Sequence, residues 1–332
     1  MTRRHRHPEP RGSTQTVPPR PDDPVVPRDA AVPAVTTSRA AVRLAMIVAV
    51  LVAFAAGVGL TWSGGDAPET ATTIRGEVVE LYGSGLYRHD SLHVGPVHRG
   101  TDAVAVLLWL PLLGYATARY RRGSVRGALL LASSLLWFLY LYLSLALGAA
   151  YNELFLVYVA LVAAAGTALA LVLRSVDTQW LANQLSVRFP ARGIAAFLLI
   201  TSSATLLLWG GLATSALIQG GPPAHLGLAT TTVEEALSLG ILVPAFLCTA
   251  IALRRGDTGL GTLLGFPLLV LVAGLAPVVT AQTVAQLLAG VTLEPAEVAG
   301  LVASWVVLGV IALSFVVRAW RAIDEPAPPG RR

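Results

Sequence analysis

Apolar residues are gathered in long blocks along the chain, and most polar residues lie in the intervals between them. Each block is close to the roughly 20 residues that an α-helix needs to cross a bilayer. A helix is the expected state, because lipid leaves every backbone N–H and C=O group to be paired within its own segment. The pattern therefore predicts eight transmembrane helices, at about 42–62, 103–119, 127–149, 154–173, 193–217, 234–253, 259–280 and 298–318.

The segments outside these blocks predict the organisation of the chain. Residues 1–40 are rich in Arg and Pro and have too little apolar sequence to build a core, so we expect a disordered tail. Because this polar lead is long, the first block is predicted to be an uncleaved helix rather than a signal peptide. The membrane domain is expected to occupy 41–320, with a long loop at 63–101 and a second tail at 321–332.

Arginine is divided unequally between the two sides of the predicted helices. All 24 basic residues are Arg. If the N-terminus is inside, every one of them except Arg75, Arg88 and Arg99 lies at the cytoplasmic side. Cytoplasmic segments of membrane proteins carry such an excess. The distribution predicts that both termini are cytoplasmic and that loop 63–101 is outside the cell.

Composition agrees with a membrane protein. The chain is 55% hydrophobic and only 13% charged, with a mean hydropathy of +0.66, whereas soluble domains have about 25% charged residues. The fold class predicted is all-α, a polytopic membrane helix bundle. The net charge of +5 does not indicate nucleic acid, because the membrane orientation explains the Arg. The expected partner is the lipid bilayer, with a second copy or another membrane protein as a further possibility.

The longest predicted cytoplasmic loop, 174–192, contains a short helical pattern. Leu181, Leu185 and Phe189 recur at every fourth position, and Trp180 stands beside them. This spacing favours a short amphipathic helix at the membrane interface. An ordinary loop is the alternative.

Two segments of the chain resemble each other. They read DAVAVLLWLPLLGYATARYRRG from Asp102 and EALSLGILVPAFLCTAIALRRG from Glu235. Each begins with a carboxylate, has a Pro nine positions later and reaches Arg-Arg-Gly ten positions after that Pro. The match predicts a parallel 4+4 repeat, related by an axis along the membrane normal. The alternative is that Arg at cytoplasmic helix ends, with Pro common in membrane helices, produces the likeness by chance.

Carboxylates occur at the predicted outer starts of helices, and two interpretations remain open. Acids there are favoured by the helix dipole, so Thr101 or Asp102 could cap the second helix, and Thr231 or Thr232 could begin a capping box. Alternatively, the acids form a ring at the mouth of the bundle that binds a cation, a proton or a polar ligand. The acids concerned are Asp102, Glu153, Glu234, Glu235 and Glu297.

The outer loop adds further candidates for ligand binding, because Arg88, Asp90 and Arg99 could hold an anionic or polar group. Its histidines are weaker candidates for a metal site. Their spacing matches no metal signature, and Gly95 and Pro96 interrupt it. We therefore predict no metal, and no haem, because no histidine falls within a predicted helix. The three loop histidines are His89, His93 and His98.

The loop sequence also carries a resemblance. The segment LYGSGLYRHDS, followed by RGTDAV, resembles a YGxGLYRxDS…RGTD pattern in uncharacterised multi-pass membrane proteins of bacteria, especially actinobacteria. Two further segments resemble the same proteins, YNELFLVYV at 151–159 and RRG at 254–256. The resemblance implies an eight-helix membrane protein and no particular activity. The chain departs from the pattern at His89, which weakens a metal site built on that residue.

Three functions remain open from the sequence. A small-solute or ion permease, or a subunit of one, is favoured by the helix count, the repeat, Pro111 and Pro244. A membrane enzyme with an external site on loop 80–102 is less favoured, because no nucleophile–base pair is evident. A structural or assembly protein would pack its outer loop on the bundle and leave no polar cavity.

Overall fold

A computed structural model describes residues 34–73, 75–223 and 226–324. Most of the predicted N-terminal tail, and the C-terminal residues from 325 onward, lie outside these ranges. The helices are α1 (Arg39–Thr61), α2 (Val94–Val104), α3 (Leu110–Tyr120), α4 (Val125–Gly148), α5 (Phe155–Arg174), α6 (Thr178–Asn183), α7 (Ala191–Gln219), α8 (Val233–Leu237), α9 (Val243–Arg254), α10 (Thr258–Leu288) and α11 (Pro295–Ala322). Two short strands, β1 (Thr70–Thr72) and β2 (Val78–Glu80), pair antiparallel.

Two π-helical segments complete the membrane spans. Ala105–Trp109 joins α2 to α3, and Ser238–Leu242 joins α8 to α9. With these joints, the described residues contain eight helices that are long and apolar enough to cross a membrane. The prediction of an all-α bundle with eight spans is confirmed.

The spans alternate in direction, and we name the two ends of the bundle by their connections. The loop side carries the connections 62–93, 149–154, 220–232 and 289–294. The arginine side carries the connections 121–124, 175–190 and 255–257. Which of the two sides faces the cytoplasm stays a prediction.

The second span begins earlier than the sequence predicts. Its helix starts at Val94 rather than near residue 103, with Pro96 in the first turn, where a proline costs no hydrogen bond. Thr101 and Asp102 therefore lie in the third turn of the helix. The prediction that one of them caps this helix is wrong, because the helix extends into the polar loop sequence.

The arginine side is tied together by short backbone pairings. Val35 pairs with Val176 and Leu185 pairs with Ile323, so the described residues just before α1 and after α11 both pack on the connection 175–190. The predicted short helix in this connection is confirmed, although α6 covers only 178–183. Leu181 is fully buried there.

The two halves of the chain repeat the same local structure. Asp102 precedes a π segment by three residues, and so does Glu235. Pro111 and Pro244 follow in the first turn of α3 and α9. Further along, Gly123 and Gly256 both have a positive φ. Ser124 and Asp257 then cap α4 and α10 with their side chains. These matches keep one constant offset, which supports the predicted repeat.

Contacts between the halves are reciprocal, as a two-fold relation requires. α2 packs on α10 and α8 packs on α4, while α4 and α10 contact each other. At the loop side, Gly100 lies against Ala281, and at the equivalent positions Val233 lies against Gly148. The two halves are thus arranged around α4 and α10, which are the most buried of the eight spans.

Candidate functional site

Asp102 lies inside the bundle rather than at its surface. Only 1% of the residue is exposed, and the hydroxyl of Tyr87 donates a hydrogen bond of 2.7 Å to its Oδ2. Tyr87 belongs to the loop-side connection, whereas Asp102 belongs to α2. The loop therefore covers a carboxylate that lies within the second membrane span.

Gly59 in α1 makes room for this carboxylate. A Cβ atom at position 59 would overlap Oδ2 of Asp102 and would lie 3.1 Å from the hydroxyl of Tyr87. The absence of a side chain at this position lets α1 approach α2 closely at the level of the acid.

Two more tyrosines lie near the acid. Tyr142 of α4 and Tyr158 of α5 are buried, with ring centroids 5.9 Å apart. The charge of an ionised Asp102 acts on both of these hydroxyls as well as on that of Tyr87. The hydroxyl of Tyr142 has no hydrogen-bond partner in the described part of the chain, whereas that of Tyr158 lies near the side chains of Tyr87 and Asn152. Buried polar atoms almost always have a partner, such as an ordered water, so the Tyr142 hydroxyl can bind a small polar molecule.

The turn that holds Tyr87 is fixed by backbone geometry. Gly85 has a positive φ of 71°, and a Cβ there would overlap the carbonyl oxygen of Trp62. The N–H of Asp90 then donates to the carbonyl of Tyr87 at 3.0 Å. Burial raises the pKa of Tyr87, and the charge of Asp102 raises it further. The tyrosine is therefore held as a neutral hydrogen-bond donor.

Asp90 is buried one turn away from Tyr87. It is 5% exposed, and its Oδ1 accepts a hydrogen bond of 2.8 Å from the N–H of Ala150. Oδ1 also lies 3.9 Å from Nε2 of His98 on α2. Burial raises the pKa of Asp90, while His98 and the Ala150 hydrogen bond oppose that rise.

Arg88 faces the opposite way, toward the surface. Its guanidinium forms an ion pair with Glu153, donates to the carbonyl of Gly85 at 3.1 Å and lies 5.5 Å from the ring centre of Trp62. The hydrogen bond from Arg88 lowers the pKa of Glu153. A surface cavity of about 320 Å³ lies beside this pair, lined also by His89 and Asn152.

Arg99 binds the protein itself. Its two terminal nitrogens donate to the carbonyl of Leu60, at 2.6 Å, and to the hydroxyl of Tyr82, at 3.0 Å. It therefore satisfies a carbonyl at the C-terminal end of α1 and fastens the loop to α2.

The two acids of the sixth span differ from each other. Glu235 is only 4% exposed, whereas Glu234 is exposed. Thr232 is the residue before α8, yet its side chain makes no capping hydrogen bond, so the threonine half of the predicted capping box is not formed. Both acids lie in the first turn of α8, as predicted. One turn farther on, the hydroxyls of Ser238 and Tyr140 lie 3.4 Å apart.

The structure brings some predicted site residues together and separates others. Asp90 and Asp102 lie near Tyr87, Arg88 pairs with Glu153, and Glu235 belongs to the other half. His89 and His93 are exposed, and the described residues contain no group of three potential metal ligands. The sequence analysis missed the three tyrosines around Asp102, because they come from three separate elements.

No protein-family model matches the chain, and no curated protein or solved structure is significantly similar to it. The resemblance carried by the segment 82–102 thus stays a resemblance. What this integral membrane protein does is to be inferred from its own residues.

Proposed function

We propose that the chain is a small-solute or ion permease, or a subunit of one, in which Asp102 and Glu235 bind a cation or a proton. The observation that carries this proposal is the matched placement of two acids. Each is almost fully buried within a membrane span, three residues before a π segment and nine before a proline. The proposed location is a bacterial plasma membrane, with the N-terminus in the cytoplasm.

General experience with membrane proteins supports this proposal. Ionisable side chains inside a membrane are rare and usually mark a path for ions or protons. π segments inside helices also occur often at functional sites. Among the described residues both features coincide twice, and near Asp102 the buried hydroxyl of Tyr142 has no hydrogen-bond partner there. Asp102 lies in the third turn of its helix, so the structural explanation for acids at helix starts does not apply to it. Glu235 lies in the first turn of α8, where the helix dipole also favours an acid.

The alternatives have less support. An enzyme site on the loop would use Arg88 and Arg99, but both guanidinium groups already bind protein groups. A structural or assembly role is favoured by the many contacts between the loop and the bundle. That role gives no reason for a second buried acid at the equivalent position, Glu235.

Cation passage can be tested in vesicles. The purified protein is reconstituted into liposomes that contain a pH-sensitive dye, and a potassium gradient with valinomycin supplies a membrane potential. Influx of protons, and of radioactive sodium in a parallel series, is compared with that of protein-free vesicles. We expect Asp102→Asn and Glu235→Gln each to reduce the flux to the level of protein-free vesicles.

The variants are chosen to separate charge from structure. An Asn at 102 keeps an oxygen that accepts the hydrogen bond of Tyr87, so only the charge is removed. Glu234→Gln is the matched control, because Glu234 is adjacent to Glu235 but exposed, and it should leave the flux unchanged. Equal loss in Glu234→Gln and Glu235→Gln, or wild-type flux in Asp102→Asn, would contradict the proposal.

A further inference from the structure

Asp90 and His98 present buried polar atoms to each other without forming a direct hydrogen bond. Oδ2 of Asp90 and Nε2 of His98 have no hydrogen-bond partner among the residues that the structure describes. Nε2 lies 3.9 Å from the other carboxylate oxygen, Oδ1. An unpaired buried carboxylate oxygen and an unpaired imidazole nitrogen are unfavourable, and one proton on the histidine would turn them into an ion pair.

Several titratable or charged side chains surround this pair. The titratable groups that face it, within the described ranges, are His89 on the same loop, Tyr87, whose ring centre is 5.0 Å from that of His98, and Tyr158 of α5. α10, which packs on α2, contributes the neutral side chains of Gln282 and Gln286. On α2 itself, Arg99 is adjacent to His98, and the carboxylate of Asp102 lies one turn farther along. The Asp90 carboxylate, whose Oδ1 lies 3.9 Å from Nε2 of His98, is in ion-pair range of the histidine.

The Asp90–His98 pair is linked to Asp102 through the loop and through α2. Asp90 and Tyr87 belong to one turn, because the N–H of Asp90 donates to the carbonyl of Tyr87. His98 and Asp102 stand four residues apart on α2, which places them on the same face of that helix. A contact between Asp90 and His98 thus pulls together the same two elements that Tyr87 and Asp102 join.

We propose that Asp90 and His98 form a proton-binding site, separate from Asp102, that sets how tightly residues 82–93 close over Asp102. With a proton on His98, the imidazolium attracts the Asp90 carboxylate and the loop is held on α2. Without that proton the attraction is lost and the loop opens more often. The importance of this closure for passage rests on the proposed function, but the closure itself does not.

The direction of the pH effect follows from the two groups. Closure should weaken as the pH rises, because a histidine that loses its proton also loses its attraction to the Asp90 carboxylate. Closure also needs an ionised Asp90. Because burial raises the pKa of Asp90, closure should weaken again in more acidic solution.

Hydrogen exchange of the full chain in lipid nanodiscs tests the proposal without any transport assay. Exchange of peptides covering 82–93 is followed by mass spectrometry at about pH 5.5 and about pH 7.5, and each rate is divided by the intrinsic chemical rate. Loss of a charge-assisted contact of this kind changes the equilibrium constant for loop opening by roughly tenfold. We therefore expect the protection factors of residues 82–93 in the wild type to be roughly tenfold lower at the higher pH.

Variants test whether His98 and Asp90 are the groups that respond to pH. His98→Gln should give low protection at both pH values, and Asp90→Asn should do the same while keeping the Oδ1 acceptor for Ala150. His89→Gln, which changes the exposed neighbour, should behave as wild type. A wild-type loop with no pH dependence, or a dependence that survives in His98→Gln, would overturn the proton site. Failure of cation flux in vesicles, together with pH-dependent exchange, would overturn the permease proposal alone.

Discussion

The two halves of the membrane domain share a framework but differ at the loop side. In the first half, the connection 62–93 is long and places Tyr87 on Asp102. In the second half, the equivalent connection, 220–232, is much shorter. The neighbouring helices differ as well. α1 packs along α5, whereas α7 meets α11 at Phe197 and Phe315, and its loop-side half is exposed.

This difference distinguishes the features that both halves share from those found in the first half alone. The buried acid, the π segment and the proline occur in both halves, so they belong to the shared framework. The Tyr87 contact and the Asp90–His98 pair occur in the first half and depend on its longer loop. If both acids serve passage, we infer that only the first is under the control of such a loop.

The reciprocal contacts between the halves give the largest expected effect. A Cβ at position 100 would lie 2.6 Å from the backbone oxygen of Ala281, whereas a Cβ at position 148 would lie 3.5 Å from the Cβ of Val233. Overpacking against a backbone atom destabilises a protein by about 1–3 kcal/mol. We expect Gly100→Ala to reach the upper end of this range and Gly148→Ala to remain within about 1 kcal/mol.

Unfolding of the purified variants in detergent measures this difference. Gly114→Ala lies in the same span as Gly100 and meets nothing within 4 Å, so it controls for the change of residue type and should be close to neutral. Equal destabilisation by Gly100→Ala and Gly148→Ala would show that the two interfaces are equally tight and would contradict this prediction.

The loop contact on Asp102 should have an intermediate effect. Tyr87→Phe removes the hydroxyl that donates to the buried carboxylate, and leaving such a group without its donor costs about 1–3 kcal/mol. Tyr151→Phe is the matched control, because Tyr151 is 77% exposed. Thermal unfolding of both variants gives the comparison. A Tyr87→Phe protein as stable as Tyr151→Phe would mean that the loop does not depend on Asp102.

The surface pair of the same loop should have the smallest effect. Arg88 lowers the pKa of Glu153, so the pair stabilises the protein above the ordinary titration range of glutamate and loses this effect as the pH falls through the lowered pKa. The Glu153 side chain is 44% exposed, and solvent screening limits such pairs to about 0–1 kcal/mol.

Unfolding of Glu153→Gln at two pH values checks the sign. The variant should be slightly less stable than wild type near about pH 7, and the difference should shrink as the pH falls through the lowered pKa of Glu153. Glu234→Gln should equal wild type at neutral pH. A deficit of Glu153→Gln that grows toward acid would contradict the assignment of the ion pair.

Much of the framework could be predicted from the sequence, because the length and polarity of each block dictate a membrane helix. The start of α2 could not, since that helix begins in polar sequence around Pro96, where hydropathy gives no signal. Because the second helix was predicted to begin near residue 103, Asp102 was interpreted as a residue at a helix start. Once the helix begins at Val94, His98 and Asp102 share a face, and Asp102 can no longer be a residue at a helix start.

The repeat was visible in the carboxylates, prolines and Arg-Arg-Gly motifs, but its interface was not. Gly100 aligns with Val233 and Ala281 aligns with Gly148, which look like mismatches in a comparison of sequences. In the structure they are complementary, because the backbone of Ala281 lies against Gly100 and the side chain of Val233 lies against Gly148. Likewise, Tyr87 and Tyr158 come from distant parts of the chain, and no local pattern joins them to Asp102.

The π segments have a consequence for direction. Successive residues in an α-helix are turned by about 100° around its axis, and a π segment accommodates one more residue than the α-helix would. Deleting a single residue from 105–109 should therefore convert the π segment to ordinary α-helix and leave Asp102 facing Tyr87. Deleting one residue from the regular part of α3 should instead rotate Asp102 by about 100° relative to the end of that helix. The direction of the carboxylate thus depends on the number of residues that separate it from α3 and on the π segment that takes up the extra one.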